Sequence, residues 1–296
     1  MNTPKSIGSG ENILPTILKT PDKLTENNRL IVGEQEETID PKRIARTFEL
    51  SHGDYGAICS HKGLRKENQD RGVVIPDASI VAVADGYGDA GTESAQIFCE
   101  TLIEGGGPVD SIFKKIRGKI WNLIEKYEEG GVCTLTAQIV EYQGQKHLEY
   151  TSNGDCRLMV FRKGELYTQS KDQTFSNYLQ ERGCPQTEDD QKGGKHQSYI
   201  INSMNIYTDY EKHHIKACIA LKPKDKVILC SDGFIDNSED KETVEIIKKY
   251  EDPFQILEAC NNKAIKAMSA FLNWEKQGYT YKPKPDNLTI AVLRIT

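Results

Sequence analysis

The chain has 296 residues, of which 37% are hydrophobic and 28% are charged, so it is long enough to fold as one large domain or two small ones. Its formal net charge of -6 argues against a nucleic-acid partner, because such partners require a basic surface. Eight isolated cysteines with no C-x-x-C pair, no apolar leader and no apolar run of membrane-spanning length predict a soluble cytoplasmic protein without a membrane partner.

Short strands and longer helices are predicted along the chain. Residues 1–50 are polar and predict an N-terminal extension, followed by a folded domain over residues 51–296. Apolar and β-branched runs predict strands over Gly56–Cys59, Gly72–Ile75, Ile80–Ala84, Leu135–Tyr142, Leu148–Ser152, Leu158–Phe161, Tyr199–Asn202, Lys226–Cys230 and Leu288–Ile295. Apolar residues at helical spacing predict helices over Thr92–Ile103, Val109–Tyr127 and Phe254–Leu272.

Two connections between these elements have recognisable sequences. Arg162–Glu165 lies between two strand-like runs and predicts a hairpin turn. The polar loop Cys184–Gln197 holds two adjacent glycines and predicts a surface flap. Strands joined by hairpins, with helices in clusters between them, favour an α+β layered sandwich over a parallel sheet.

Four aspartates lie at the ends of predicted strands: Asp85, Asp155, Asp232 and Asp286. A strand fixes such a carboxylate, and a neighbouring glycine lets the backbone turn and expose its carbonyl to a ligand. A single Asp-Gly pair is more often a turn than a ligand. Four carboxylates gathered at one edge of a sandwich would repel one another unless cations lay between them. Hard oxygen ligands suit magnesium or manganese better than zinc.

Seven short motifs, in this order, resemble those of the protein phosphatase 2C (PPM) family. The texture of the sequence is most similar to that of the bacterial-type members. They are Arg65–Asp70, Asp85–Gly88, Thr134–Ala137, Asn153–Arg157, Lys171–Gln173, Ser231–Asp236 and Asp286–Thr289. Each motif is weak alone, but the ordered set is specific and covers the chain from Gly53 to Thr296. The resemblance implies a four-layer α-β-β-α sandwich of two antiparallel sheets flanked by helices. It also implies metal-dependent hydrolysis of phosphoserine or phosphothreonine in a phosphorylated protein substrate.

The resemblance also implies which residues hold the metal ions. Two ions, Mg²⁺ or Mn²⁺, would activate a water that attacks phosphorus in line. Asp85 would bridge the two ions, and the carbonyl of Gly86 would join the first. Asp232 and Asp286 would hold the second ion.

Four further residues complete the implied site. Asp155 and Asp236 match positions that bind a third, weaker metal in family members. Asp70 would orient the metal-bound water, and it is counted among both the catalytic residues and the metal ligands. Arg65 would clamp the substrate phosphate, because its planar guanidinium pairs with two phosphate oxygens at once.

Three residues depart from the family pattern. Gln69 stands where many members have glutamate, although its amide can still bond a metal-bound water. Tyr87 stands where some members have a histidine proposed as general acid, so the proton donor is either a water or Tyr87 itself. Asp89 replaces a usual glycine, and we expect it to cap the helix that follows.

Other functions remain open at the level of sequence. Cys59–Arg65 satisfies C-x5-R, the loop by which cysteine phosphatases hold phosphate over a thiolate, but this alternative leaves the aspartates unexplained. An inactive phosphatase fold that only binds partners is the second alternative, although every expected metal-binding aspartate is present. Hydrolysis of a small phosphorylated metabolite or nucleotide is a third alternative, with the same metal chemistry. Oligomeric state and export without a leader stay open.

Overall fold

The computed structural model describes residues 29–33, 40–105, 109–185, 187, 199–205 and 214–296. Within these ranges, no helix combines the length and the apolar character needed to cross a membrane. The strands are β1 (Leu30–Val32), β2 (Arg46–Glu49), β3 (Tyr55–His61), β4 (Asp70–Ile75), β5 (Ile80–Tyr87), β6 (Gly131–Tyr142), β7 (Gln145–Asn153), β8 (Arg157–Arg162), β9 (Glu165–Gln169), β10 (Met204–Asn205), β11 (Ile215–Ala220), β12 (Lys226–Cys230) and β13 (Leu288–Arg294). The helices are α1 (Pro41–Ile44), α2 (Gly91–Glu104), α3 (Val109–Trp121), α4 (Phe175–Glu181), α5 (Asp232–Ile235), α6 (Asp240–Lys249) and α7 (Pro253–Ser269).

The strands form two antiparallel sheets. The first sheet has the order β1-β4-β5-β6-β7-β11, and β10 also pairs with β6. The second sheet has the order β2-β3-β13-β12-β8-β9. Antiparallel pairing agrees with the short hairpin connections. One of these, between β8 and β9, turns at Lys163 and Gly164, both with positive φ, as a two-residue hairpin requires.

Side chains along each strand alternate between the two faces of its sheet, and this alternation produces the layers of the sandwich. In β8, Leu158 and Val160 face the core between the two sheets, whereas Met159 and Phe161 face the helices on the outer side of the second sheet. Helices α2 and α3 cover the outer face of the first sheet, and α6 and α7 cover that of the second sheet. Side chains of neighbouring residues point to opposite faces of a strand, so each sheet is buried on both sides. The four-layer α-β-β-α prediction is confirmed.

The structure differs from the predicted elements in a few places. Tyr199–Asn202 is not a strand, and only an isolated bridge joins Ile200 to Thr174. Helix α3 ends at Trp121, and a 3₁₀ turn continues over Asn122–Glu125. Most of the predicted flap Cys184–Gln197 lies outside the described residues.

Part of the predicted N-terminal extension belongs to the sandwich. Strand β1 pairs with β4 and strand β2 pairs with β3, so each lies at the end of one sheet. The expected boundary at residue 51 therefore falls after two strands of the fold. Residues 1–28 and 34–39 lie outside the described ranges.

Candidate active site

The two sheets bring the predicted carboxylates to one edge of the sandwich. Asp70 and Asp85 are directly opposite each other on β4 and β5 of the first sheet. Asp232 follows β12 and Asp286 precedes β13, which are neighbours in the second sheet. The acidic cluster, as we call it, consists of Asp70, Asp85, Asp155, Asp232, Asp236 and Asp286.

Asp70 is buried and fixed by a side chain from the second sheet. Its Oδ2 accepts a 2.6 Å hydrogen bond from the hydroxyl of Ser231. Burial raises the pKa of Asp70 to about 8, and the charges of Asp232 and Asp286 add to the rise. A carboxyl group held in this way keeps its orientation when neighbouring charges change.

Asp85 lies near the end of β5, beside a tightly packed turn. Burial raises the pKa of Asp85 well above its ordinary value, with further contributions from the other carboxylates, Asp232 first. The next residue must be glycine, because a Cβ at Gly86 would lie 2.2 Å from the carbonyl oxygen of Gly91. Gln69 fixes the same turn, since its Nε2 donates to the carbonyl of Gly88 at 2.8 Å.

Asp155 lies on a loop that is anchored from a distant segment. Gly154 donates its N–H to the side chain of Gln173 at 2.8 Å, and its carbonyl accepts from the Gln173 N–H at 2.9 Å. Oδ1 of Asp155 is buried and has no hydrogen-bond partner. Burial raises the pKa of Asp155 to about 8, and the charge of Asp232 contributes. An orphaned buried carboxylate oxygen is unfavourable unless a cation or proton joins it.

A lysine lies among the other carboxylates. Nζ of Lys284 is 2.7 Å from Asp232 Oδ2, 3.1 Å from Asp286 Oδ2 and 3.4 Å from Asp236 Oδ2. Burial alone lowers the pKa of Lys284, but these carboxylates outweigh it and the pKa is raised. Burial likewise raises the pKa of Asp232, but Lys284 reverses this and the net pKa lies below its ordinary value. The pKa of Asp286 remains raised, by burial first and by Asp232 second.

Arg65 reaches the cluster from the loop between β3 and β4. Its side chain is 50% exposed, and one terminal nitrogen lies 3.0 Å from Asp286 Oδ1. Its Nε donates to the carbonyl of Pro285 at 2.8 Å. Asn287 anchors this loop, because its Nδ2 donates to the carbonyls of Lys62 and Glu67. A half-exposed guanidinium at the rim of the cluster is available to an anion from solvent.

The donor atoms of the cluster fit a hard divalent cation. They are carboxylate oxygens with raised pKa values, together with the orphaned Oδ1 of Asp155, and such oxygens are what Mg²⁺ and Mn²⁺ prefer. As the side chains stand, no group of three His, Cys, Asp or Glu among the described residues has the geometry to hold a metal ion. Lys284 accounts for part of this, since its ammonium lies where three carboxylates converge.

A cavity of about 470 Å³ adjoins the cluster and is lined in part by Asp155, Asp232 and Asp236. On its other wall, Nε of Arg157 donates to Asp172 Oδ1 at 3.0 Å, and a second guanidinium nitrogen pairs with Asp172 Oδ2. This bidentate ion pair fixes the wall. The cavity is therefore a rigid acidic recess beside the carboxylates.

One expectation from the sequence is wrong, and one alternative that the sequence left open does not fit the structure. Asp89 does not cap α2, because the N-cap is Ala90 and no side chain bonds the helix terminus there; Asp89 is exposed. Cys59 is not part of a phosphate loop, since it lies within β3, pairs opposite Ile290 and is fully buried. A nucleophilic thiolate needs access to substrate and a stabilising charge, which this core position lacks.

The hydroxyl of Tyr87, the alternative proton donor, is engaged elsewhere. It lies 2.5 Å from the hydroxyl of Ser203, and burial raises its pKa. Three residues that shape the site have no role predicted from the sequence: Lys284, Ser231 and Asn237. Ser231 is the first residue of the motif Ser231–Asp236 and Asn237 directly follows it, but only the folded loops show what they contact.

This sandwich is the fold of the PPM serine/threonine phosphatases, which are its structural neighbours and mostly come from bacteria. PppA, a key regulatory component of T6SS in Pseudomonas aeruginosa, is 19% identical with a TM-score of 0.65, over 86% of this chain and 98% of that one. MsPP, a PPM Ser-Thr phosphatase from Mycobacterium smegmatis solved with cacodylate, is 18% identical with a TM-score of 0.64, over 81% and 98%. PstP, a serine/threonine phosphatase from Mycobacterium tuberculosis, is 22% identical with a TM-score of 0.62, over 85% and 99%.

The catalytic domain of PstP has also been solved with two manganese ions. No protein-family model matches the chain, and no curated protein does either. At these identities the likeness establishes the fold. The chemistry of the site has to be argued from the residues of this chain.

Proposed function

We propose that the protein is a metal-dependent phosphatase that hydrolyses phosphoserine or phosphothreonine in cytoplasmic proteins. The observation that carries this proposal is the acidic cluster itself. The two sheets and their loops gather carboxylates at one edge, where burial first and the neighbouring charges second raise the pKa values of Asp70 and Asp155 to about 8. Such an arrangement is costly without cations, and it stands on a fold shared with phosphatases, one of which was solved with two manganese ions.

The proposed metal ligands follow from the placement of the cluster. Asp85 and the carbonyl of Gly86 would hold one ion, and Asp232 and Asp286 would hold another. Asp155 and Asp236 would hold a third ion more weakly. When bound, Mg²⁺ or Mn²⁺ supplies a more acidic water and neutralises charge on the phosphoryl oxygens.

The other steps belong to side chains of this chain. Arg65 stands at the rim, half-exposed, and binds the substrate phosphate through its planar guanidinium. Asp70, held by Ser231, orients the attacking water toward phosphorus. The adjoining cavity, walled by the Arg157–Asp172 ion pair, admits the residues that flank the phosphorylated side chain. The leaving hydroxyl takes its proton from a water or from Tyr87.

The first experiment measures hydrolysis of p-nitrophenyl phosphate and of a phosphothreonine peptide by the purified chain. We expect activity with Mn²⁺ or Mg²⁺, none in EDTA, and unchanged metal dependence in Cys59→Ser. Activity that persists in EDTA would contradict the proposal. A small phosphorylated metabolite hydrolysed far faster than the peptide would keep the chemistry and change the substrate class.

A second candidate function is a phosphatase fold that binds partners without turnover. The observation in its favour is the ammonium of Lys284 among three carboxylates. This candidate predicts no hydrolysis at any metal concentration by a protein that is folded by circular dichroism. The same assay therefore separates the two functions.

A further inference from the structure

Lys284 is held in place by its backbone. It stands between Pro283 and Pro285, which fix their own φ angles and restrict the residues before them. The side chain of the fully buried Asn237 accepts from the Lys284 N–H at 3.0 Å and donates to the Lys284 carbonyl at 2.8 Å. The backbone is thus tied on both sides of the residue. The ammonium is presented to the cluster by a rigid segment.

The fixed cations are distributed unevenly over the cluster. Lys284 contacts Asp232, Asp236 and Asp286, which we call the Lys284 side. Arg65 adds a second positive charge there, at 3.0 Å from Asp286.

The other three carboxylates of the cluster, Asp70, Asp85 and Asp155, are called the Asp85 side. Among the residues that the structure describes, no lysine or arginine forms an ion pair with these three. Instead, the buried Oδ1 of Asp155 has no hydrogen-bond partner at all. A divalent cation is therefore attracted most strongly to the Asp85 side, where its charge is not opposed by a fixed cation at contact distance.

We infer that Lys284 is a built-in competitor for divalent cations. One ion binds on the Asp85 side, and a further ion binds on the Lys284 side only when the ammonium swings out of the cluster. This inference rests on the proposed function, because it takes the cluster to be a metal site. Its consequence is a protein whose second ion binds only above a threshold concentration of free metal, so that the fully loaded state follows metal supply.

The test is a titration of the metal-free full chain with Mn²⁺, with free Mn²⁺ followed by electron paramagnetic resonance. Lys284→Met keeps the length of the side chain and removes the charge. Lys282→Met is the matched control, because Lys282 also precedes a proline but is exposed and lies over the ring of Phe271 at 4.9 Å. We expect the weaker ion to bind roughly tenfold or more tightly in Lys284→Met, and Lys282→Met to match the unchanged protein.

Equal affinity and stoichiometry in Lys284→Met and the unchanged protein would overturn the inference. Asp85→Asn tests the underlying metal site separately. If the unchanged protein binds Mn²⁺ and Asp85→Asn does not weaken it, the proposed function fails, whatever Lys284 does. If Asp85→Asn abolishes tight binding while Lys284→Met changes nothing, only the competitor role fails.

A second readout covers the case that Lys284→Met folds poorly without metal. Lys284→Gln keeps a hydrogen-bond donor near the carboxylates without the charge. The rise in unfolding temperature on adding saturating Mn²⁺ is measured for Lys284→Gln and for the unchanged protein. A larger rise in Lys284→Gln than in the unchanged protein supports the inference, and an equal rise contradicts it.

Discussion

Arg65 and Asp286 form an ion pair at the rim of the acidic cluster. The guanidinium is half-exposed, and its contact with Asp286 is 3.0 Å long. A phosphate arriving from solvent meets one face of the guanidinium that is not committed to the protein. The residue therefore suits binding of the phosphate in the ground state and the transition state alike.

Arg65→Ala is expected to raise KM by roughly tenfold or more and to change kcat much less, because uniform binding is lost. Steady-state kinetics on the phosphothreonine peptide measures both constants. Lys66→Ala is the matched control, since Lys66 is exposed and adjacent in sequence. A fall in kcat with unchanged KM would place Arg65 in the transition state alone.

Asp85→Asn is expected to act in opposite directions on activity and on stability. It removes a carboxyl group whose ionised form is disfavoured, because burial first and the neighbouring carboxylates second raise the pKa of Asp85. We expect no detectable turnover, but a metal-free protein that is more stable at pH 8 by about 1 kcal/mol or more. Urea unfolding in EDTA measures the difference. Asp89→Asn, at an exposed position, should change stability by less than about 0.5 kcal/mol.

At the scale of elements, the end of β5 and the turn that follows it are tightly constrained. Gly86 donates its N–H to the carbonyl of Gln69, while α2 begins against it at Gly91. Strand, turn and helix are therefore fitted together at this point with no room for a side chain. A substitution at Gly86 would therefore displace Asp85.

Gly86→Ala is expected to destabilise the protein by about 3 kcal/mol or more and to abolish activity, because its Cβ would meet backbone atoms at 2.2 Å. Gly118→Ala is the matched control, since nothing lies within 4 Å of a Cβ at that exposed position of α3. We expect Gly118→Ala to stabilise by about 0.5–1 kcal/mol. Chemical denaturation compares the two, and equal effects would show that the turn tolerates a side chain.

The elements that the sequence predicts are those with a strong apolar pattern. β5 and β12 are buried along their length, and α7 shows a regular stripe, so their type and place follow from spacing. β2 and β11 lie at the ends of the sheets and carry several exposed residues, so they have no comparable pattern. Their pairing partners decide that they are strands: β3, the next strand along the chain, for β2, and β7, which is distant in sequence, for β11.

The residues of the candidate site also fall into two groups, those that the sequence predicts and those that it does not. The aspartates can be found from the sequence because each one follows or precedes an apolar run and several stand beside glycine. Lys284 cannot be identified from the sequence in this way, because its contact with Asp232 depends on how the loop before β13 folds over α5. Asn237 holds that loop, and no spacing rule connects an asparagine with a lysine so distant in the chain.

On the scale of the whole molecule, the acidic cluster joins the two sheets. Asp70 and Asp85 come from the first sheet, and Asp232 and Asp286 come from the second. Like charges from both sheets therefore meet at one edge, above a core that both sheets share. The free energy of unfolding should respond to whatever changes those charges.

Metal-free protein is expected to lose stability as the pH rises from about 5 to about 8. The pKa values of Asp70 and Asp155 lie at about 8 in the folded state and at 3.8 ordinarily. Between these values the folded state binds more protons than the unfolded state, so stability falls with rising pH. The lowered pKa of Asp232 adds no slope here, because its contribution is complete above its ordinary pKa.

Urea unfolding in EDTA at pH 5.5 and pH 8 measures this loss, which we expect to reach at least about 1.4 kcal/mol. Saturating Mn²⁺ should reduce or reverse the difference, because a bound cation favours the ionised carboxylates. Higher stability at pH 8 than at pH 5.5 in EDTA would contradict the raised pKa values.

The position of β13 has a consequence for the time at which the site forms during synthesis. This strand separates β3 from β12 in the second sheet, and Asp286 directly precedes it. A nascent chain on the ribosome that has passed Asp70 but not β13 has neither a closed second sheet nor all its carboxylates. At about 5–20 residues per second, this interval lasts roughly 10–40 s. The carboxylates of the two sheets therefore come together only after β13 has been made and inserted.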